Sequence, residues 1–238
     1  YQRAFNRSNF IFFQNKDDRA LFLQNVKTPI SKTGLLPGSG IDLKFYKSAS
    51  PNFDRPLRIL MIGRLIIDKG VREFWSAADQ LIEEFPDLEF LLAGGYDEAH
   101  KRSISSEELA DLKASRSIKY LGQINDVKSA IADADLIVLP SYREGTPRTL
   151  LEGAAMSRPL IATDVPGCRE VIDDGVNGFL CEKQNSESLV RKIKLFRSLS
   201  LEEKIHMSHA SRRLVENRFD QSIVIGEYER KINQLTKS

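Results

Sequence analysis

Between Leu57 and Leu199, short apolar runs of strand length alternate with stretches whose apolar residues recur at helical spacing, and few architectures accommodate that alternation. Leu57 to Gly63, Leu88 to Gly94, Ile118 to Leu121, Leu136 to Leu139, Pro159 to Ala162 and Gly178 to Cys181 read as buried strands. Gly70 to Glu84 carries Val71, Phe74, Ala77, Ala78, Leu81 and Ile82 on a helical face. Ser105 to Ala114, Asp126 to Ala134, Thr149 to Met156, Val165 to Ile172 and Ser186 to Leu199 are the other intervening helices. The fold class is therefore α/β, a doubly wound parallel sheet with right-handed crossovers. Two long helices follow, Ser200 to Arg218 and Asp220 to Leu235, and the stripe Ile223, Ile225, Tyr228 and Ile232 is expected to pack into the core.

Ahead of this region, Phe10 to Phe13 and Thr33 to Leu36 are short strand candidates with a helix over Lys16 to Gln24 between them. Pro37-Gly-Ser-Gly-Ile-Asp42 is a tight turn, and Ala49 to Pro56 reads as a linker. At 238 residues the chain has ample length for a full core. Its formal charge of +2 arises from basic residues interleaved with almost as many acids, so no nucleic-acid footprint is present. No apolar run reaches the length of a membrane-spanning helix. Two cysteines, Cys168 and Cys181, make neither a disulfide framework nor a metal site and imply a reducing cytoplasm. His100, His206 and His209 lie in polar or helical surroundings and are assigned to the surface. The chain opens at Tyr1 inside what reads as mid-protein sequence, so a fragment is expected.

The stretch Leu136 to Met156 runs strand, polar turn, helix, with Pro140, Gly145 and Pro147 breaking the turn. In an open parallel sheet the loop beyond a strand's carboxyl end is where ligands bind, and the next helix offers free N–H groups to an anion. Glu144 and Glu152 bracket that loop. On one unbroken helix they would stand about 12 Å apart. With the first half a loop, both can line one pocket, Glu144 at the rim and Glu152 in the first helical turn. Carboxylates only accept hydrogen bonds and suit hydroxyl-rich partners such as sugar and ribose. Taken alone, Glu144 would pass for a solvated loop residue and Glu152 for an acid favoured by the helix dipole.

Other strand ends change that balance. The first turn, Gly63-Arg-Leu-Ile-Ile-Asp-Lys-Gly70, places Arg64 and Lys69 over the carboxyl edge, a planar fork and a point charge suited to phosphate. Ala93-Gly-Gly95 removes side chains where a ligand would approach. Gly122-Gln-Ile-Asn125 offers backbone groups and an apolar side chain to a planar base. Four successive strand ends thus carry glycine, a cation or a carboxylate on one face.

These motifs, with Pro159-Leu-Ile-Ala-Thr-Asp-Val-Pro-Gly167 and Glu170-Val-Ile-Asp-Asp-Gly-Val-Asn-Gly178, resemble the Rossmann-like, nucleotide-sugar-binding half of family 4 (group 1) retaining glycosyltransferases of the GT-B fold. The resemblance covers Leu57 to Leu199. It implies that Arg64 and Lys69 hold the donor diphosphate, that Glu144 meets the donor sugar and that Glu152 meets the ribose. Gly145, Thr146, Pro147, Arg148 and Thr149 would lie along sugar and phosphates, and Leu150 against ribose and base. Gly95, Gln123 and Ile124 complete the implied donor site, with Glu144, Arg64 and Lys69 as its catalytic members.

By the same resemblance, residues 1–50 are the end of an acceptor-binding domain with its linker, 51–200 the donor-binding domain, and 201–238 helices crossing back. The implied reaction moves a sugar from a nucleoside-diphosphate sugar, such as a UDP- or GDP-sugar, to an acceptor hydroxyl with retention, as in polysaccharide biosynthesis. No cofactor or metal is expected, and no Asp-x-Asp cluster is identified. The acceptor, a sugar or lipid-linked glycan, would be held by the absent amino-terminal domain, so this chain alone would be inactive. A cytoplasmic location, with peripheral association at the inner membrane surface, fits such an acceptor. A glycosidase using Glu144 and Glu152 would have no use for Arg64 and Lys69. A non-catalytic nucleotide-sugar-binding or scaffolding domain is the alternative that stays open.

Overall fold

Six strands form one fully parallel sheet in the computed structural model, which describes residue 5 and residues 7–237. The strands are β3 (Leu57–Ile62), β4 (Leu88–Ala93), β5 (Ile118–Gly122), β6 (Leu136–Leu139), β7 (Leu160–Thr163) and β8 (Gly178–Cys181). Their spatial order is β5-β4-β3-β6-β7-β8. The chain winds outward from β3 through β4 and β5, then returns to lay β6 on the other side of β3. That reversal makes the carboxyl ends of β3 and β6 the switch point, where a doubly wound sheet opens a crevice.

Every residue of β6 and β7 is buried, as strands covered on both faces must be. On one face, helices α2 (Val71–Glu84) and α7 (Ser186–Ser198) pack through Phe74, Leu81, Leu189, Ile193 and Phe196. Burying each such side chain contributes about 1.5–3 kcal/mol. On the other face lie α4 (Val127–Asp133), α5 (Arg148–Ala155), α6 (Pro166–Arg169) and α8 (Leu201–Arg218), through Ile131, Leu151, Ala154, Cys168 and Val215. Between β4 and β5, α3 (Ser106–Ala114) starts at a capping box formed by Ser105 and Glu108. Helix α5 starts at Arg148, one residue before the expected Thr149, which moves Glu152 from the first helical turn to the fifth helical position.

Gly70 is fixed by geometry. Its φ of 75° lies in the left-handed region, and a Cβ there would sit 2.1 Å from the Pro140 carbonyl oxygen. The turn after β3 is thereby pressed against the end of β6. The 3₁₀ turn Ile67–Lys69 just before Gly70 places Lys69 at this junction.

A separate parallel pair, β1 (Ile11–Phe13) and β2 (Thr33–Leu35), is joined by α1 (Lys16–Asn25). The first positions of the expected 1–50 block, and the final residue of the 201–238 block, lie outside the described residues. The segment between β2 and β3 is fastened to the body at several points. Ile41 N–H donates to Phe219 O at 2.7 Å and Ile41 O accepts from Gln221 N–H at 3.1 Å. Fully buried Arg158 donates to the carbonyls of Ala49, Ile131 and Ala132, each at 2.9 Å.

The last helix, α9 (Gln221–Thr236), departs from expectation. Ile223, Ile225, Tyr228 and Ile232 are exposed, and Val224 is the buried residue of the helix. The helix meets the small two-stranded unit, where Tyr228 stacks edge-on against Phe12 and Lys231 lies over the Phe10 ring. Two short strands offer too little area to cover its apolar stripe. Among the described residues no helix is long and apolar enough to cross a membrane.

Candidate functional site

Beyond the strands, backbone pairing continues into the loops of the carboxyl edge. Gly63 N–H donates to Ala93 O at 2.9 Å, Leu65 N–H to Gly95 O at 3.0 Å, and Gly94 N–H to Gly122 O at 2.8 Å. The Tyr120 hydroxyl adds a bond to Gly94 O at 2.8 Å. These loops enclose a cleft of about 360 Å³ lined by Arg64, Gly95, Tyr96, Gln123, Ile124 and Val127, among others. Four of the residues singled out in the sequence, Arg64, Gly95, Gln123 and Ile124, are thus brought to one concavity. Arg64 and Gln123 are exposed.

Lys69 and Glu144 form the next part of the site. Lys69 Nζ donates to Glu144 Oε1 at 2.5 Å, with the two side chains 25% and 10% exposed. Glu144 is therefore an ion-paired, mostly buried group and not a solvated loop residue. Its loop is held from below, where a Cβ on Gly167 would fall 1.8 Å from Gly145 O. It is held from the other side by the corner between β1 and α1. Thr146 N–H donates to Gln14 Oε1 at 3.1 Å, and Asn15 Nδ2 donates to Gly145 O at 3.4 Å. Cys168 is buried close by, and burial pushes its thiol far above the ordinary range, which makes it an inert packing residue.

Helix α5 begins against the end of β3, where Thr149 Oγ1 donates to Ile62 O at 3.4 Å. Its N-cap is Pro147, and no side chain caps the first turn. The positive end of the helix is thus left for an outside acceptor. Arg148 turns back along the helix, its Nε donating to Glu152 Oε1 at 2.8 Å. The Tyr46 hydroxyl donates to the same oxygen at 2.8 Å. Tyr46 and Glu152 are each 7% exposed. Burial, reinforced by the Glu152 carboxylate, pushes the Tyr46 phenol up to about 12. Leu150 corrects an expectation. Its side chain is wholly buried in the core, so it is closed to contact with a ribose or base.

The main omissions of the sequence reading are Tyr46 and Gln14. They sit 106 and 132 positions from their partners Glu152 and Thr146, and no local pattern marks either. One Asp-x-Asp triplet, Asp133-Ala-Asp135, also escaped the sequence reading. It precedes β6, at the opposite edge of the sheet, and Asp135 is buried against Arg55 and the Arg58 N–H, each at 2.9 Å. Among the described residues no group of three or more His, Cys, Asp or Glu is placed to hold a metal ion.

Known proteins resemble this chain in sequence and in fold. The N,N'-diacetylbacillosaminyl-diphospho-undecaprenol alpha-1,3-N-acetylgalactosaminyltransferase of Campylobacter jejuni is 28% identical, over 100% of this chain and 64% of its own length. The capsular polysaccharide biosynthesis glycosyltransferase CapM of Staphylococcus aureus is 27% identical, over 85% of this chain and 51% of its own. The chain therefore spans about half to two thirds of these relatives. In fold, it superposes on Anabaena Alr3699/HepE in complex with UDP-glucose with a TM-score of 0.83, at 19% identity, covering 98% of this chain and 66% of that one. The resemblance to the carboxyl-terminal half of a GT-B glycosyltransferase is borne out. Residues 56–196 match the glycosyl transferases group 1 family, and the chain belongs to it.

Proposed function

We propose that this chain is the donor-binding half of an enzyme that transfers a sugar from a nucleoside-diphosphate sugar to an acceptor hydroxyl with retention of configuration. The observation that carries the reading is the Lys69–Glu144 pair at the switch point, beside a cleft rimmed by Arg64. A cation for phosphate and an acceptor for hydroxyls are adjacent there, as a glycosyl phosphate requires. In this reading the base occupies the cleft at Gly95, Gln123 and Ile124, and Glu152 accepts from the ribose. Arg64, Lys69 and the uncapped start of α5 hold the diphosphate, while Glu144 and the loop from Gly145 to Thr149 follow the donor sugar.

Retention follows a single-face displacement. The bond from the anomeric carbon to the diphosphate oxygen breaks as the acceptor oxygen bonds to that carbon on the same face. The acceptor proton passes to the departing phosphate. Negative charge grows on that phosphate, and prepositioned cations and helix N–H groups stabilise it without reorganising. Such a site works without a divalent metal. A UDP-sugar donor and a lipid-linked acceptor are in keeping with the UDP-glucose in complex with Anabaena Alr3699/HepE and with the diphospho-undecaprenol in the Campylobacter relative's name.

Calorimetric titration with UDP, GDP and ADP, with and without magnesium, tests the donor site. Binding of one nucleotide at equal affinity in both conditions is expected. Binding that appears only with magnesium overturns the metal-free site, and no binding by the full-length protein overturns the donor role.

A further inference from the structure

We infer that Tyr46, in the segment that leads into β3, is a positioning residue that sets the Glu152 carboxylate for recognition of a ribose. The inference rests on the donor-site reading above and extends it to a residue outside the sheet.

Two donors, the Tyr46 hydroxyl and Arg148 Nε, converge on Glu152 Oε1, each at 2.8 Å. Both of a carboxylate's oxygens accept, so fixing Oε1 with two bonds leaves Oε2 as the acceptor for a ligand hydroxyl. The donors are unequal as fixtures. Arg148 is 68% exposed at its side chain and belongs to the same helix as Glu152, so on its own it holds the carboxylate loosely. Tyr46 is almost wholly buried and is itself immobilised. Its carbonyl accepts from Arg212 Nη1 of α8 at 2.8 Å, and the same Nη1 reaches Ala155 O at 2.6 Å. Two residues further on, Ser48 Oγ and Ser157 Oγ are hydrogen-bonded at 2.6 Å. The Tyr46 ring thus reaches Glu152 from a backbone pinned to both α5 and α8. A rigid second layer of this kind is what keeps a recognition group in one rotamer.

A buried Tyr–Glu hydrogen bond could also serve stability alone, so the test separates the two roles. Affinities of the full-length protein for UDP, 2′-deoxy-UDP, 3′-deoxy-UDP and inorganic pyrophosphate are measured by calorimetry for the wild type, Glu152→Gln and Tyr46→Phe. In the wild type, UDP is expected to bind at least about tenfold more tightly than one of the deoxy forms, a discrimination within the range of a charged hydrogen bond. Tyr46→Phe is expected to lower UDP affinity about fivefold or more while pyrophosphate and that deoxy form bind unchanged, so that the discrimination collapses. Equal losses for all four ligands would mean a purely structural role and overturn the inference. Full discrimination in Tyr46→Phe, with Glu152→Gln losing it, would also overturn the Tyr46 role and leave the ribose assignment standing. Full discrimination in both variants would overturn the ribose assignment itself, and the inference with it. Phe keeps the ring and removes one hydroxyl. If it nonetheless fails to fold, Arg212→Lys loosens the Tyr46 backbone and is read in the same way, with unchanged discrimination overturning the inference.

Discussion

Lys69 Nζ and Glu144 Oε1 lie 2.5 Å apart, joining the turn after β3 to the turn after β6 across the switch point of the sheet. Each satisfies the other. In the proposed donor site a nucleoside diphosphate would present Lys69 with a stronger anion and a donor sugar would present Glu144 with hydroxyls, so that binding would exchange one partner for two. Removing either residue therefore has opposite effects on free nucleotide. Lys69→Ala would delete the proposed charge-assisted phosphate contact, worth about 1.5–3 kcal/mol, and leave the Glu144 carboxylate unpaired. UDP affinity should fall at least about tenfold. Glu144→Ala should leave UDP affinity equal or tighter while sugar transfer by the full-length enzyme falls by orders of magnitude. Calorimetry with UDP and a transfer assay check the pair, and loss of UDP binding in Glu144→Ala would sink the assignment.

Arg64 lies at the rim of the cleft and is exposed. Its replacement by alanine should cost about tenfold in UDP affinity through the lost phosphate contact. Stability should barely move, within about 0.5 kcal/mol, because an exposed side chain away from caps and buried networks contributes little. Parallel calorimetry and urea denaturation separate the two readouts. A large loss of stability with unchanged UDP affinity would make Arg64 a structural residue.

Much of the fold was legible because its cause is local. The strands β3 to β8 are bounded by glycine, proline or polar residues, and the longer helices between them, such as α2 with Val71 to Leu81, keep a clean apolar face. The strand ends that carry Arg64, Lys69 and Glu144 could be read because a parallel sheet sends every carboxyl end to one edge. What failed was non-local. The stripe on α9 has helical spacing, but whether it is covered depends on the area opposite it, which spacing does not encode. Glu152 was legible as an acid near a helix start, whereas its partner Tyr46 approaches from a segment with no periodicity. Leu150 was misassigned because a helix start has one face toward the crevice and one toward the core, and the one-residue shift of α5 does not by itself reveal which way each side chain turns.

Arg158 supports the site at a distance. Its guanidinium lies fully buried among the carbonyls of Ala49, Ile131 and Ala132, and burial draws its pKa down to about 10. It ties the segment carrying Tyr46 to the end of α4. Arg158→Leu removes the charge and three hydrogen bonds, but Ile131 O keeps its bond from the Ala134 N–H at 3.2 Å and Ala132 is exposed. The half-buried Ala49 carbonyl is therefore the acceptor most nearly stranded, at about 1–3 kcal/mol. The variant should lose about 1–3 kcal/mol in urea denaturation at neutral pH. A loss below about 1 kcal/mol would show that water or a shifted backbone satisfies those carbonyls instead.

Alkaline pH probes the Tyr46–Glu152 bond directly. The Tyr46 phenol is pushed up to about 12 by burial and by Glu152, whereas an unfolded tyrosine titrates near 10. Between those values the folded protein keeps a proton that the unfolded chain has released, so stability falls as pH rises. The contribution is whole below pH 10 and is lost as pH climbs through about 12, amounting to at most about 2–3 kcal/mol. Tyr142, which donates to Glu73 Oε1 at 2.6 Å and is likewise pushed up to about 12, adds a second loss in the same window. Tyr46→Phe should flatten the decline between pH 10 and 12 without abolishing it, and Tyr46→Phe with Tyr142→Phe should flatten it further. Urea midpoints measured from pH 8 to 11.5 give the slopes. Identical slopes in the wild type and the double variant would mean that neither phenol is held protonated by its carboxylate.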